Sequence, residues 1–252
     1  MVDIHYGMFE EKFKYHFKSH DIGFDEQILK DFYRFTNFLL SENEKYNLTA
    51  IKDIDEIIVK HYIDSIMPLK YFDIPLKSHI IDVGTGAGFP AVPLYIMRKD
   101  LHINFMDSSN KKIDFVCDAV KNISGYNKEN FFFLTGRAEE YAKDFMFREE
   151  YDFVLSRAVA RLNVLCELIS PLVKKSGYLI AYKGKSAEDE VREAQNAFKT
   201  LNLEIADAAE FNLNLKSGNI DDNKRVLLKI RKLKETSPEY PRNFSVITKK
   251  PL

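Results

Sequence analysis

The feature that most constrains the fold of this chain is a glycine-rich segment at residues 80–89, which read I-I-D-V-G-T-G-A-G-F. Its apolar half is typical of a buried strand, and the three glycines that follow allow a sharp turn and the close approach of a ligand. A strand, a glycine-rich turn and a helix in this order are typical of nucleotide-binding α/β folds. An ordinary turn between two elements is the alternative that this segment alone leaves open.

Apolar runs and helical patterns alternate after residue 78, and this alternation predicts the fold class. We predict strands at 79–83, 101–106, 130–134, 151–155 and 178–182, and helices at 88–98, 109–122, 137–145, 160–175 and 186–202. The runs at 203–213 and 224–232 have no helix pattern between them and are expected to pair as an antiparallel edge. The expected fold is therefore α/β and Rossmann-like, with a mostly parallel seven-stranded sheet.

The first part of the chain has apolar residues at helical spacing instead. Amphipathic helices are predicted at 7–20, 25–42 and 53–69, with a polar link at 41–49. We therefore expect three parts, namely an N-terminal helical extension at 1–76, the α/β domain at 77–236 and an irregular tail at 237–252.

The charge balance restricts the partners that the chain can bind by charge alone. Its 37 Lys and Arg residues are balanced by 38 Asp and Glu residues, a formal net charge of −1. Nucleic-acid binding through charge alone usually requires a basic excess. Either the partner is not a nucleic acid, or the positive charge is local.

The cysteines and the hydropathy pattern indicate the compartment. Cys117 and Cys166 are the only cysteines and fall in helical patterns, which predicts reduced thiols rather than disulfides. The sequence has no spacing typical of metal ligands, no uncharged apolar run long enough to span a membrane, and no signal peptide at residues 1–5. We therefore expect a cytoplasmic protein without a metal ion.

Two details of the glycine-rich segment indicate which ligand it binds. The spacing is G-x-G-x-G, whereas the dinucleotide fingerprint is G-x-G-x-x-G. Asp82 stands two residues before the first glycine, where a carboxylate would repel a diphosphate and suit a ligand with an ammonium group. S-adenosylmethionine is such a ligand, so Asp82, Gly84 and Gly86 favour it over NAD and disfavour a dehydrogenase.

The ends of the next two predicted strands also carry candidate ligand contacts. Asp107 ends the second strand, where a carboxylate can accept both hydroxyls of a ribose. Ala138 and Glu139 follow the third strand and are candidates for the edge of an adenine. The alternatives are a helix N-cap at Asp107 and an acidic first helical turn at Glu139.

Several segments together resemble one known family. They read K-Y-N-L-T-A-I at 45–51, K-H-Y-I-D-S at 60–65, M-D-S-S-N-K-K at 106–112, S-R-A-V-A at 156–160, K-G at 183–184 and Y-P-R at 240–242. With the glycine-rich segment, they are similar to the bacterial small-subunit ribosomal RNA methyltransferase G family, formerly called glucose-inhibited division protein B. The resemblance extends in collinear order from about residue 30 to the end of the sequence.

The resemblance implies a class I S-adenosylmethionine-dependent methyltransferase fold with an N-terminal helical extension. It also implies methyl transfer to N7 of one guanosine in 16S ribosomal RNA. It assigns cofactor contacts to Gly84, Phe89, Ala138, Glu139 and Arg157. The residue-level arguments above add Asp82, Gly86 and Asp107.

The sequence departs from the family pattern in two places. Residues 108–112 read S-S-N-K-K where the family usually has S-L-x-K-R, and residues 243–247 read N-F-S-V-I where it usually has a lysine followed by G-x-P. The second difference removes a basic residue and a tight turn from the tail.

Methylation of guanine N7 needs no general base, because that nitrogen has a free lone pair and no proton. Catalysis is then expected to consist mainly of placing the base in line with the methyl group. The candidate residues at the base are Arg157, Asn47, His61 and Lys183, with Asp64 and Arg161 beside them. The alternatives are a structural ion pair for Arg157, a turn for Asn47, packing for His61 and a solvated turn lysine for Lys183.

The expected partner is 16S ribosomal RNA, within the small ribosomal subunit or its precursor. With a net charge of −1, RNA binding is expected to depend on RNA shape as well as charge. Two alternatives remain open, namely a methyltransferase for a small molecule or protein, and a non-catalytic ribosome-assembly or binding protein that retains the fold.

Overall fold

The computed structural model describes residues 4–215 and 223–252. Residues 1–3 of the predicted extension and 216–222 of the predicted α/β domain lie outside these ranges. The strands are β1 (His79–Val83), β2 (His102–Asp107), β3 (Phe131–Thr135), β4 (Tyr151–Arg157), β5 (Val173–Lys183), β6 (Leu203–Asn212) and β7 (Lys224–Lys232).

The helices of the first part are α1 (Tyr6–Ser19), α2 (Glu26–Tyr46), α3 (Ile54–Glu56), α4 (Asp64–Ile66) and α5 (Pro68–Tyr71). A π-helical stretch, Ile57–Ile63, joins α3 to α4. The remaining helices are α6 (Ala91–Met97), α7 (Asn110–Lys121), α8 (Ala138–Tyr141), α9 (Leu162–Ile169), α10 (Ala187–Glu193), α11 (Gln195–Leu201) and α12 (Phe244–Lys249), with 3₁₀ turns at Lys128–Asn130 and Ser170–Leu172.

The described strands form one seven-stranded sheet in the order β3-β2-β1-β4-β5-β7-β6. Neighbours from β3 through β5 are parallel, while β7 is antiparallel to both β5 and β6. This arrangement confirms the predicted α/β class with a mostly parallel sheet and an antiparallel edge. Because β1 lies between β2 and β4, the chain order reverses beside β1, and ligands of open α/β sheets bind at such a point.

The hydrophobic core consists of two clusters. Successive residues of a strand point to opposite faces of the sheet, so neighbouring residues belong to different clusters. Ile80 and Phe105 belong to the first cluster, whereas their neighbours Ile81 and Met106 belong to the second. The first cluster also contains buried aromatic residues of the N-terminal helices, including Phe13 and Phe32. The N-terminal helices thus complete the hydrophobic core on one face of the sheet, and the division at residue 76 stays a prediction.

The predicted polar link at 41–49 is wrong at its start, because α2 continues to Tyr46. Asn43 is buried in its last turn, where its side chain donates to the Thr49 carbonyl at 2.9 Å and accepts from the Thr49 N–H at 2.8 Å. These bonds fold the following segment back onto the helix. Residues 41–46 of the predicted link are therefore helical, and only residues 47–49 form a loop.

Two predicted helices are shorter than expected. The helix predicted at 137–145 ends at Tyr141. The Arg148 guanidinium donates to the Ala142 carbonyl at 2.9 Å, and the Met146 N–H donates to the Asp144 side chain, so neither group continues the helical hydrogen bonds. The helix predicted at 160–175 ends at Ile169, because Pro171 has no N–H to continue the hydrogen-bond ladder.

Two other predictions of secondary structure need correction. The helix predicted at 186–202 is divided at Ala194 into α10 and α11. The tail predicted as irregular contains α12, whose Ile247 is fully buried against the second cluster. Three apolar residues in a six-residue segment, of which only Ile247 is buried, are too weak a pattern to predict such a short helix.

No helix within the described ranges is both long enough and apolar enough to cross a membrane. Cys117 and Cys166 are free thiols, as predicted, and burial raises the pKa of Cys166 to about 12.

Candidate functional site

The glycine loop, residues 84–88, leaves β1 at the carboxyl edge of the sheet. Gly84, Gly86 and Gly88 have φ values of +76°, +58° and +86°, a region that other residues rarely adopt. A Cβ atom added at Gly84 would lie 2.5 Å from Cγ2 of Val159, whereas one at Gly86 would meet only the Gly84 carbonyl oxygen at 3.9 Å. Gly86 therefore borders open space, as a loop that receives a ligand requires.

Asp107, at the end of β2, connects the glycine loop to the next helix. One carboxylate oxygen accepts from the Gly86 N–H at 3.1 Å, and the other accepts from the Ser109 N–H at 2.9 Å. The helix N-cap is Ser109, so Asp107 is not itself the N-cap but holds the backbone just before the helix. Asp107 also lines the cavity beside the glycine loop, so its contact with a ribose stays a prediction.

A cavity of about 330 Å³, which we call the glycine-loop cavity, opens beside this loop. Its walls include four residues that the sequence selected, namely Gly84, Asp107, Ala138 and Glu139. They come from the ends of β1 and β2 and from the start of α8. The structure therefore brings four of the eight predicted cofactor residues to one cavity, while Asp82, Gly86, Phe89 and Arg157 do not line it.

A larger cavity of about 630 Å³, which we call the Arg157 cavity, lies at the ends of β4 and β5. Its walls include the predicted residues His61, Arg157 and Lys183. The two cavities share Ala158, Val159 and Ala160, so these three residues form the boundary between them. Four of the predicted cofactor residues and three of the predicted base residues thus line two adjacent cavities that meet at the loop after β4.

Arg157 is held by a polar network in the wall of its cavity. Its guanidinium donates to the Asp64 carboxylate at 3.0 Å and to the Lys60 carbonyl at 3.0 Å, and its Cζ lies 5.3 Å from the centre of the Phe89 ring. Asp64 is buried and also lies 3.5 Å from Nε of Arg225. The predicted ion-pair alternative for Arg157 is therefore present, and its role at the base stays a prediction.

His61 is neutral at physiological pH. Burial and the nearby Arg157 cation lower its pKa to about 3. Nδ1 lies 3.4 Å from the Arg157 guanidinium, which can only donate, so the proton is assigned to Nε2, 2.9 Å from the Thr49 hydroxyl. The ring stacks on Phe89 at 4.3 Å; Phe89 lines neither cavity and packs against His61 and Arg157, so its predicted cofactor contact stays a prediction.

Asn47 has the turn conformation that the sequence left open as an alternative, whereas Lys183 has buried partners that the sequence did not specify. Asn47 ends α2 in the left-handed conformation, with φ of +49°, and does not line either cavity. Lys183 is not a solvated turn lysine, because its side chain is 8% exposed and its ammonium lies 2.7 Å from Glu190 and 2.8 Å from the Ala160 carbonyl. Lys183 thus supports the 158–160 loop, while phosphate contact stays a prediction.

Asp82 is fully buried and lines neither cavity. One of its carboxylate oxygens accepts from the Ala91 N–H at 3.3 Å, and the other has no hydrogen-bond partner among the described residues. Burial raises its pKa to about 7. Its predicted contact with a cofactor ammonium therefore stays a prediction.

The raised pKa of Asp82 predicts a pH dependence of stability. Between about pH 4, where the unfolded side chain ionises, and about pH 7, the folded state holds a proton that the unfolded state has lost. The free energy of unfolding should then fall by about 1.4 kcal/mol per pH unit as the pH rises through this window. Denaturant titrations should show this slope in the wild-type protein and a reduced slope in Asp82→Asn; equal slopes would contradict it.

Several residues of the cavities were not predicted from the sequence, and Val159, Arg225 and Phe244 are three of them. Val159 and Arg225 line them from the 158–160 loop and from β7, and Phe244 reaches the glycine-loop cavity from α12. The S-R-A-V-A segment contains Val159, which was a usable signal. Arg225 is distant in sequence from the motifs, and no pattern indicated it. Phe244 closely follows the Y-P-R segment, but it lies where the sequence departs from the family pattern.

No group of three His, Cys, Asp or Glu side chains in residues 4–215 and 223–252 is placed to hold a metal ion.

The chain is similar in sequence to a family of known proteins. The sequence profile of GidB, rRNA small subunit methyltransferase G, matches residues 28–216. Ribosomal RNA small subunit methyltransferase G of Lysinibacillus sphaericus is 37% identical over 245 residues, which are 97% of this chain and 100% of that protein. The protein of the same name from Clostridium beijerinckii is 41% identical over 240 residues, with 93% of this chain and 95% of that protein covered.

Solved structures resemble the fold at low sequence identity. A putative methyltransferase in complex with the Trm112 activator from Haloferax volcanii gives a TM-score of 0.52 at 15% identity, covering 72% of this chain and 93% of that chain. TYW2 of M. jannaschii in complex with AdoMet gives a TM-score of 0.50 at 12% identity, covering 68% and 76%. These similarities support the α/β fold and carry no argument about the substrate.

Proposed function

The chain belongs to the rRNA small subunit methyltransferase G family, and from this membership we infer that it is an S-adenosylmethionine-dependent ribosomal RNA methyltransferase. We propose that it methylates N7 of one guanosine in 16S ribosomal RNA. The observation that carries the proposal is the pair of cavities that share Ala158, Val159 and Ala160. One cavity receives the methyl donor, the other receives the guanine, and their shared boundary is where donor and acceptor meet.

The residues of the glycine-loop cavity fit S-adenosylmethionine. Gly86 lines neither cavity, but open space lies beside it and its N–H holds the Asp107 carboxylate, which lines the glycine-loop cavity. Asp107 supplies a carboxylate for ribose hydroxyls, and Ala138 and Glu139 supply the wall for the base. When bound, S-adenosylmethionine supplies an electrophilic methyl group.

The residues of the chain then have to orient the guanine and tolerate the positive charge that it gains. Arg157 is fixed by Asp64 and the Lys60 carbonyl, so its guanidinium is already oriented in the cavity wall before RNA binds. His61 has a pKa of about 3 and stays uncharged, so it does not repel a base that becomes positive. No side chain has to remove a proton, because guanine N7 carries none.

The cations around the Arg157 cavity indicate how RNA is recognised. Lys60 lies 2.6 Å from Glu56, Arg161 lies 2.7 Å from Glu193, and Lys183 is paired with Glu190. Paired cations give a weaker attraction to bare phosphates than an unbalanced basic patch does. We therefore propose that the substrate is 16S RNA folded within the small ribosomal subunit or its precursor, where RNA shape contributes to recognition.

This substrate proposal predicts a preference that can be measured with purified components. The protein is incubated with methyl-labelled S-adenosylmethionine and either 30S particles or protein-free 16S RNA, both unmethylated at the target. The initial rate with particles should be higher by about tenfold or more, since shape recognition requires the folded RNA. Equal rates would contradict the requirement for an assembled particle, and no transfer to either RNA would favour the non-catalytic alternative.

We also propose a cytoplasmic location, because ribosomal RNA is the substrate. The proposed parts of the chain are the helical extension at 1–76, the methyltransferase domain at 77–236 and the tail at 237–252. Within the described residues, the extension supplies His61 and Asp64 to the Arg157 cavity, and the tail supplies Phe244 to the glycine-loop cavity.

A further inference from the structure

The C-terminal tail contributes an aromatic ring to the glycine-loop cavity. Phe244, the first residue of α12, lines this cavity together with Gly136, Ala138 and Glu139. The ring lies in the segment where the sequence departs from the family pattern. The tail is therefore part of the cavity wall rather than an appendage to the domain.

A buried ion pair fixes the tail next to the cavity. Glu167 on α9 is fully buried, and its carboxylate accepts from Nε of Arg242 at 2.7 Å and from the terminal guanidinium nitrogen at 2.6 Å. It also accepts from the Arg242 backbone N–H at 2.9 Å. Three bonds to one carboxylate fix both the backbone and the side chain two residues before Phe244.

The α12 helix fixes the tail on the other side of Phe244. Ile247 is fully buried in the second hydrophobic cluster. On the side of Arg242, Lys143 also donates to the Asn243 side chain at 3.4 Å. Phe244 thus stands between two anchors, Arg242 and Ile247. The Arg242 ion pair and the buried Ile247 therefore hold Phe244 in position at the cavity.

The Phe244 ring itself is 40% exposed, although its neighbours in the chain are anchored. Cζ of Arg137 lies 5.9 Å from the ring centre, so a cation lies close to this aromatic group at the cavity. An aromatic surface left open to solvent in a cavity wall gains free energy when a flat apolar ligand covers it. Purine bases are such ligands and stack on aromatic side chains.

We propose that Phe244 is the aromatic wall against which the adenine of the methyl donor packs, so that the C-terminal tail determines affinity for the adenosine group. This inference rests on the proposed function, which assigns the glycine-loop cavity to S-adenosylmethionine. The ring makes no bond to the transferred methyl group. Its contribution should therefore appear in cofactor binding and not in the rate of transfer at saturation.

The absence of tryptophan from the sequence allows a direct optical test. Phe244→Trp places a single tryptophan in the cavity wall, and stacking of adenine on its indole should quench its fluorescence. The matched control is Phe145→Trp, because Phe145 is 86% exposed and lines neither cavity. Titration with S-adenosylhomocysteine should quench the first variant saturably and leave the second unchanged.

Calorimetry with the wild-type protein, Phe244→Ala and Phe244→Tyr tests the same inference without a probe. Phe244→Ala should weaken binding of S-adenosylmethionine and S-adenosylhomocysteine by about tenfold, as expected for the loss of one stacked base. Phe244→Tyr should bind like the wild type, and Phe145→Ala should do so as well. In transfer assays, Phe244→Ala should raise KM for S-adenosylmethionine and leave kcat within about twofold.

The outcomes separate this inference from the function on which it rests. If the wild-type protein does not bind S-adenosylmethionine, both the proposed function and the role of Phe244 are wrong. If the wild type binds, but Phe244→Ala binds equally well and Phe244→Trp is not quenched, only the role of Phe244 is overturned. Quenching together with weaker binding by Phe244→Ala supports the inference.

Discussion

Gly86→Val should abolish measurable binding of S-adenosylmethionine while the protein remains folded. An added Cβ at Gly86 meets only one backbone oxygen, at 3.9 Å, so the valine fits the protein and fills the space that the ligand needs. We expect Kd to rise by more than about 100-fold, which corresponds to about 2.7 kcal/mol of lost binding free energy. Isothermal titration calorimetry measures the change directly.

Backbone strain has to be separated from the loss of space, because Gly86 has φ of +58° and valine disfavours this conformation. Gly125→Val is the matched control. Gly125 has φ of +69°, nothing lies within 4 Å of its added Cβ, and it lies outside the glycine loop, whereas the Gly86 N–H donates to Asp107 of the glycine-loop cavity. Both variants should lose about 1–2 kcal/mol of stability, but only Gly86→Val should lose binding. Normal binding by Gly86→Val would remove the glycine loop from the cofactor site.

Arg157→Ala should reduce both stability and methyl transfer. The change leaves the buried Asp64 carboxylate with its longer contact to Arg225 and removes the fixed cation from the cavity wall. We expect the free energy of unfolding to fall by about 3 kcal/mol, the usual cost of breaking a buried pair. We expect kcat/KM to fall by about 100-fold through misplacement of the base. Denaturant titration and single-turnover assays measure the two effects.

Two further variants separate the structural and functional parts of the Arg157 effect. Arg161→Ala changes the same loop, but Arg161 is largely exposed and paired with Glu193, so stability should stay within about 0.5 kcal/mol. The double variant Arg157→Ala with Asp64→Ala removes the uncompensated charge and should regain stability without regaining activity. If activity returns together with stability, Arg157 has only a structural role.

The sheet was predictable because its pattern is local. Short apolar runs predicted β1 at His79–Val83, and a strand-like run with no helix pattern before it predicted β7 at Lys224–Lys232. The glycine loop was also predictable, since its tight spacing and the preceding Asp82 lie within one short segment. Asp107 and Ala138 followed because the carboxyl ends of parallel strands meet at one edge of the sheet.

The polar supports of the site were not predictable, because each joins residues far apart in the chain. Arg242 and Glu167 are 75 positions apart, and Arg157 and Asp64 are 93 positions apart. Lys232 is fully buried against Glu149, 83 positions away, although a lysine in a strand is usually exposed. Charge pairing of this kind leaves no periodic signal in the sequence. The position of the tail and of Phe244 could therefore be found only from the structure.

The most direct test of the central claim is mass-spectrometric mapping of 16S ribosomal RNA from cells that lack this protein. The account predicts that one guanosine loses its N7 methyl group. It also predicts that the wild-type gene restores this methyl group, whereas the Gly86→Val gene does not and the Gly125→Val gene does. If every N7-methylated guanosine of the 16S RNA persists in cells without the protein, the claim that this chain methylates that RNA is contradicted.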